Sequence, residues 1–208
     1  MSSATIARAR QRTEPTATAA PRSASNAWWG MVTLVVTEAT LFAVFIASYF
    51  HLRWHTAGAW PPDGLPDPKL VRSTVMTAIL VFSSLPAYWA ERAIRRGRQG
   101  QLRLGLAFTT LLGSAFLGLQ AWESTDIARN VFTPRTDAYG SMFFTITGAH
   151  GVHAAVGILL LLWVQIMAWR GHYDIRRHQG IQLAALYWHF VAAAGLVIFA
   201  TLYITPRL

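Results

Sequence analysis

Five long apolar runs dominate the chain, at about 28–50, 73–89, 102–122, 141–169 and 181–204, separated by short polar segments. Each is near the roughly 20 residues that a helix needs to cross ~30 Å of hydrocarbon. Inside a bilayer a single segment must satisfy its own backbone hydrogen bonds, which a helix does and an isolated strand does not. The pattern therefore predicts an all-α membrane protein, a bundle of five transmembrane helices. Trp28, Trp29, Tyr49, Trp89, Trp122, Tyr139, Trp169 and Tyr203 stand at or near the ends of the runs, where an aromatic belt belongs. The second run is the weakest, with Ser83, Ser84 and Pro86 inside it. Neighbouring helices would have to re-satisfy the carbonyl that Pro86 leaves without a donor.

Composition sharpens this picture. Of 208 residues, 53% are hydrophobic and 13% charged, against roughly 25% charged in an average soluble chain. A single aqueous core of this size cannot bury so much apolar surface. With no cysteine, disulfide scaffolds, Cys-ligated metal sites and thiol chemistry are excluded. The net charge of +9 would suit a nucleic-acid partner if it formed a stripe on a soluble fold, but it sorts by segment instead. Residues 1–27, 90–103 and 170–180 hold 12 of the 18 Lys and Arg, and the alternate segments hold the other 6. The positive-inside rule then places the N-terminus in the cytoplasm and the C-terminus outside, and no nucleic acid is needed. Residues 1–27 carry Arg8, Arg10, Arg12 and Arg22 against Glu14 alone, with Pro15 and Pro21. They read as a disordered basic cytoplasmic tail rather than a transit peptide or secretory signal, leaving 28–208 as the transmembrane domain.

Ionisable groups at membrane depth are rare and default to function. Glu38, His150, His153 and His189 all fall near mid-membrane and could meet in the bundle interior. A carboxylate in hydrocarbon costs at least a few kcal/mol unless a cation or donors hold it. Glu38 is thus either a proton-exchanging or partner-contacting carboxyl, or a group satisfied by one hydrogen bond to a neighbouring helix. His150 and His153 lie three apart on one helix face; imidazole suits metals and haem, but no carboxylate ligand lies near them in sequence. Interhelical hydrogen bonds are the plainer reading. Gly148, Gly151, Ala154, Ala155 and Gly157, with Ala192, Ala193, Ala194 and Gly195, would let helices approach closely. Gln120, Glu123 and Asp126, at the outer end of the third run, are expected at the membrane interface. No phosphate loop, nucleophile elbow or HExxH occurs, so nothing resembles a self-contained active site.

Several motifs together resemble subunit III of the haem–copper terminal oxidases, in its shorter five-helix bacterial form. Thr37-Glu38-Ala39-Thr40-Leu41-Phe42 is similar to the first-helix motif, and Trp60-Pro61-Pro62 to the outer-loop motif of the cytochrome c oxidase branch. Gln120-Ala121-Trp122-Glu123, Thr147 through His153, and Tyr187-Trp188-His189-Phe190 resemble three further family signatures, the second being the most specific. Two positions depart from the pattern: Ala192 and Gly195 stand where an aspartate and a tryptophan are usual.

The resemblance implies a non-catalytic core subunit in the bacterial cytoplasmic membrane. It would pack directly on subunit I, with subunit II in the same complex, stabilise subunit I and support proton uptake during O₂ reduction. This chain would bind no cofactor, haem and copper residing in partner subunits, with structural phospholipid as its own ligand. Glu38 inherits the role of a carbodiimide-reactive, proton-uptake carboxyl. His150, His153, His189, Trp188, Glu123 and Gln120 form the expected interhelical polar network, with no catalytic or metal-binding residue. Within the family, a quinol oxidase or nitric oxide reductase-associated subunit is the alternative. A b-type cytochrome using His150 or His153 with His189, and a small proton-coupled transporter around Glu38, are the alternatives from other classes.

Overall fold

The computed structural model describes residues 26–56, 58–62 and 70–207. The tail expected over 1–27 therefore lies, up to residue 25, outside the described residues. The helices are α1 (Asn26–His55), α2 (Leu70–Phe82), α3 (Ser84–Arg95), α4 (Gln99–Asn130), α5 (Ala138–Trp169) and α6 (Gln179–Phe199). α6 continues as a π turn over Ala200–Ile204 and a 3₁₀ turn over Thr205–Arg207. No strand occurs among the described residues. α2 and α3 form one span, so among the described residues five spans are long and apolar enough to cross a membrane: Asn26–His55, Leu70–Arg95, Gln99–Asn130, Ala138–Trp169 and Gln179–Arg207.

The helices overrun the apolar runs, most clearly where α4 passes Trp122 to reach Asn130. A polar side chain does not end a helix whose backbone bonds continue, so hydropathy marks the hydrocarbon rather than the helix. Real stops carry specific signals. Asp137 caps α5, its Oδ1 accepting from the Gly140 N–H at 2.6 Å. Gly97 and Gly171 take φ of 71° and 75° after α3 and α5. That conformation lets the amides of Arg98 and His172 reach back to Ala93 and Met167.

The second span breaks at Ser83, between α2 and α3. Pro86 removes the amide that would bond the carbonyl of Phe82, and the Ser83 hydroxyl donates to Leu80 O at 2.5 Å. The indole of Trp188 on α6 donates to Ser83 Oγ at 2.9 Å. Trp188 is fully buried at the centre of the larger core cluster. It lies between two glycines: a Cβ on Gly113 of α4 would stand 2.5 Å from the ring, and one on Gly157 of α5 would stand 2.8 Å from it. Large aromatic and absent side chains thus interlock α4, α5 and α6, the close approach that small residues allow in membranes.

α6 is the hub of the bundle, touching α1, α2, α3 and α5. α1 is its edge. It leans on α5 and α6, and only Phe42 and Tyr49 of its 30 residues are buried. A second, aromatic cluster gathers Phe42, Tyr49, Phe132, Tyr139, Phe143 and Tyr203. Trp60, from the Trp-Pro-Pro segment, meets Tyr49 and Tyr139 edge-on with centroids at 5.6 and 5.4 Å.

The two basic linkers share one end of the bundle, where Gln99 donates to Tyr173 O at 2.7 Å. Arg53 donates to Thr205 O at 3.0 Å at the opposite end.

Candidate functional site

Glu38 meets His153. The α1 carboxylate oxygen Oε2 lies 2.8 Å from His153 Nε2 on α5. The other ring nitrogen, Nδ1, lies 2.7 Å from Ala149 O of its own helix. A carbonyl only accepts, so Nδ1 carries a hydrogen and donates it. The contact between Nε2 and Glu38 therefore holds one proton: a neutral carboxylic acid donates to imidazole, or an imidazolium donates to carboxylate. Either form satisfies both partners, and the proton crosses between them without moving a heavy atom far. Phe42, one turn beyond Glu38, packs edge-on against His153 with centroids at 5.0 Å. Tyr187 Oη stands 3.5 Å from His153 O, just at the edge of hydrogen-bonding reach. The side chains of Glu38 and His153 remain 28% and 14% accessible in the isolated chain. The pair therefore borders the outer face of the bundle, alongside the thinly buried α1.

His150 points the other way. It is 3% exposed and donates through Nε2 to Val191 O on α6 at 3.1 Å. A Cβ at Gly195 would stand 3.0 Å from that nitrogen and 2.5 Å from Leu80 Cδ2. His150 thus occupies the space a larger residue at 195 would need. The small-residue stripe is used selectively. Gly151 makes room for Gln120, whose Nε2 donates to Thr147 O at 2.6 Å, whereas Gly148 is exposed and faces no neighbour.

Glu123 and Gln120, expected near the membrane interface and in an interhelical polar network, face neighbouring helices rather than the outer surface of the bundle. They are 4% and 9% exposed, between helices. Ser73 of α2 donates to Glu123 Oε1 at 3.3 Å. Asp126, one turn on, pairs with Arg72 at 2.9 Å nearer the surface. α4 overruns its apolar run and keeps one face against α2, which is what buries these side chains. His189 stays apart: it makes no hydrogen bond to Glu38, His150 or His153 among the described residues, and the charge acting on it is Glu91 of α3.

His150 and His153 turn to different partners rather than to a common ligand position. Both nitrogens of His153 and Nε2 of His150 are committed to other partners. Among the described residues no group of three or more His, Cys, Asp or Glu converges on a metal position. The sequence did not signal Ser73 as the partner of Glu123, nor that Tyr187 would reach toward His153. Each is a common residue whose role depends on a partner from a distant helix.

Known proteins agree with this architecture. Residues 17–206 match the family described as cytochrome c oxidase subunit III. The chain is similar to cytochrome c oxidase subunit 3 of Thermostichus vulcanus, 33% identical over 183 residues, 86% of this chain and 87% of the relative. It is 33% identical over 180 residues to the protein of that name from Synechocystis, covering 85% and 74%. The Drosophila melanogaster protein of that name is 34% identical over 180 residues, covering 84% and 68%. With Glu38, the Thr147–His153 segment and Trp188 at the bundle's helix contacts, the chain belongs to the cytochrome c oxidase subunit III family and is part of an oxidase complex.

Proposed function

We propose that the chain is a non-catalytic core subunit of an aerobic respiratory oxidase, seated on subunit I in a bacterial cytoplasmic membrane, where it stabilises that subunit and supports proton uptake. The observation that carries this reading is the one-proton contact between Glu38 and His153. A carboxyl hydrogen-bonded to imidazole has a partner to exchange a proton with, and an ionisable group at membrane depth is a functional candidate by default. Its place beside α1, the least buried span, favours a role at the surface facing a partner subunit. In this reading redox chemistry belongs to partner subunits holding haem and copper, while His150 and His153 serve helix contacts through their hydrogen bonds. Structural phospholipid suits the exposed apolar faces. The N-terminus is placed in the cytoplasm by the distribution of Arg and Lys.

Glu38→Ala in the assembled complex tests this reading. Initial O₂ reduction is expected to stay largely intact, while catalytic lifetime shortens or proton uptake slows. Wild-type lifetime and proton-uptake rate together would remove Glu38 from function. Labelling by a hydrophobic carbodiimide is expected at Glu38 and absent from the variant. Co-purification of a haem–copper subunit with the chain tests the partner, and a lone colourless chain in mild detergent would refute it.

A further inference from the structure

A second polar site lies within the bundle, away from the Glu38–His153 pair. A cavity of about 50 Å³ opens between α2, α4, α5 and α6. Ser73, Gln120, Glu123, Thr147, His150 and Tyr203 are among its polar lining residues, with Thr77 and Ser124, and apolar residues including Met76, Leu80 and Phe116 supply most of the rest. Two oxygens in it are orphaned. Glu123 Oε2 and Gln120 Oε1 are buried with no hydrogen-bond partner, although the opposite ends of both side chains are tied, to Ser73 and to Thr147 O. Leaving a buried acceptor unmade costs roughly 1–3 kcal/mol, and here two such acceptors sit one helical turn apart on α4.

We propose that this cavity is an internal water site, in which two or three water molecules bridge Glu123 Oε2 and Gln120 Oε1 and connect Glu123 to the aqueous surface beside Arg72. Volume favours water: a single molecule needs at least ~10–15 Å³ measured this way and two to four polar partners. A lipid headgroup is too large for the space. A metal cation is disfavoured because Arg72 already brings positive charge toward Glu123. Arg72 and Trp122, chain neighbours of the lining residues Ser73 and Glu123, mark the nearest partly exposed surface. Arg72 pairs with Asp126 at 2.9 Å, stacks on the Trp122 ring at 4.3 Å, and both charged side chains are partly exposed. The fold also makes room on purpose at this end. α6 widens into the π turn over Ala200–Ile204, which brings Tyr203 into the lining beside Ser73; such widened turns concentrate at functional sites. Glu123 is thereby a carboxyl in contact with water, independent of the Glu38–His153 pair.

A high-resolution experimental structure of the full chain, with whatever subunits it retains, is the test. Two or three oxygen positions are expected within hydrogen-bonding distance, ~2.7–3.2 Å, of Glu123 Oε2 and Gln120 Oε1. A dry cavity, acyl-chain density, or a cation with shorter ligand distances would overturn the proposal. Glu123→Gln keeps an acceptor in the same place and is expected to retain the waters; their loss in that variant counts against it. Glu123→Leu combined with Gln120→Leu is expected to expel them, and persistent water there would also refute it. If the doubly substituted chain does not assemble, the Glu123→Gln density decides. Glu38→Gln is expected to leave these positions unchanged, so the outcome is separable from the role of Glu38.

Discussion

Glu38 and His153 behave as one chemical unit, because a single hydrogen bond satisfies both side chains across α1 and α5. Truncating His153 strands a carboxyl at membrane depth, and truncating Glu38 leaves an imidazole with an unfilled nitrogen. His153→Ala is therefore expected to shorten catalytic lifetime about as much as Glu38→Ala, with the double variant no worse than either single one. Such non-additivity is expected of groups in direct contact. Lifetime measured during continuous turnover checks it, and additive losses would show that the two act separately. Gly195 makes the opposite kind of case. The family resemblance puts a tryptophan at this position, but here His150 Nε2 fills the space. Gly195→Ala is expected to cost about 1–3 kcal/mol through overpacking against His150 and Leu80, read as a lower thermal midpoint of the complex. A midpoint equal to wild type would mean that His150 moves aside freely.

The break between α2 and α3 is stabilised from outside its own span. Ser83→Ala would leave the buried Trp188 indole N–H without its acceptor, an expected cost of roughly 1–3 kcal/mol. Gly113→Ala pushes a methyl group into the same ring and is expected to cost about 1–3 kcal/mol. Thermal denaturation of the purified complex measures both. The connection between α5 and α6 offers a pH test. Asp174 Oδ1 accepts from the amides of Arg177 and Arg176, both at 2.6 Å. These bonds hold its carboxyl below the usual carboxylate range, with the nearby guanidinium charges acting in the same direction. A depressed folded-state value means that this turn is fully stabilised above the ordinary range near ~4 and loosens as pH falls through the folded value. Amide exchange at Arg176 and Arg177, corrected for intrinsic rates, is expected to accelerate only on acidification. Asp174→Asn is expected to abolish that pH dependence.

At the scale of the whole molecule, charge placement and packing describe the same bundle. The linker segments around Arg98 and Arg176 lie together at one end, while Arg53, Arg72 and Thr205 lie at the other. Because the chain has no cysteine, single introduced cysteines report orientation cleanly. Thr136→Cys is expected to react with an impermeant maleimide in intact cells, and Arg176→Cys only after the membrane is opened. The reverse result would invert the topology. α1, apolar yet with only two buried residues, gives the molecule a one-sided apolar margin beside the Glu38–His153 pair.

The sequence by itself determined the five spans and the family, because hydrocarbon thickness, helix rise and motif spacing act locally along the chain. It also picked out Glu38, the two α5 histidines and Trp188, since a polar or bulky group in an apolar run is visible without a fold. It could not assign their partners. Depth alone would let Glu38 meet His150, His153 or His189, and only helix rotation and packing brought it to His153, turned His150 toward Gly195 and left His189 near Glu91. Nor did hydropathy show which side chains Glu123 and Gln120 would meet between the helices. Those contacts depended on how far α4 continued and which helix lay against it, and tertiary structure alone decides them.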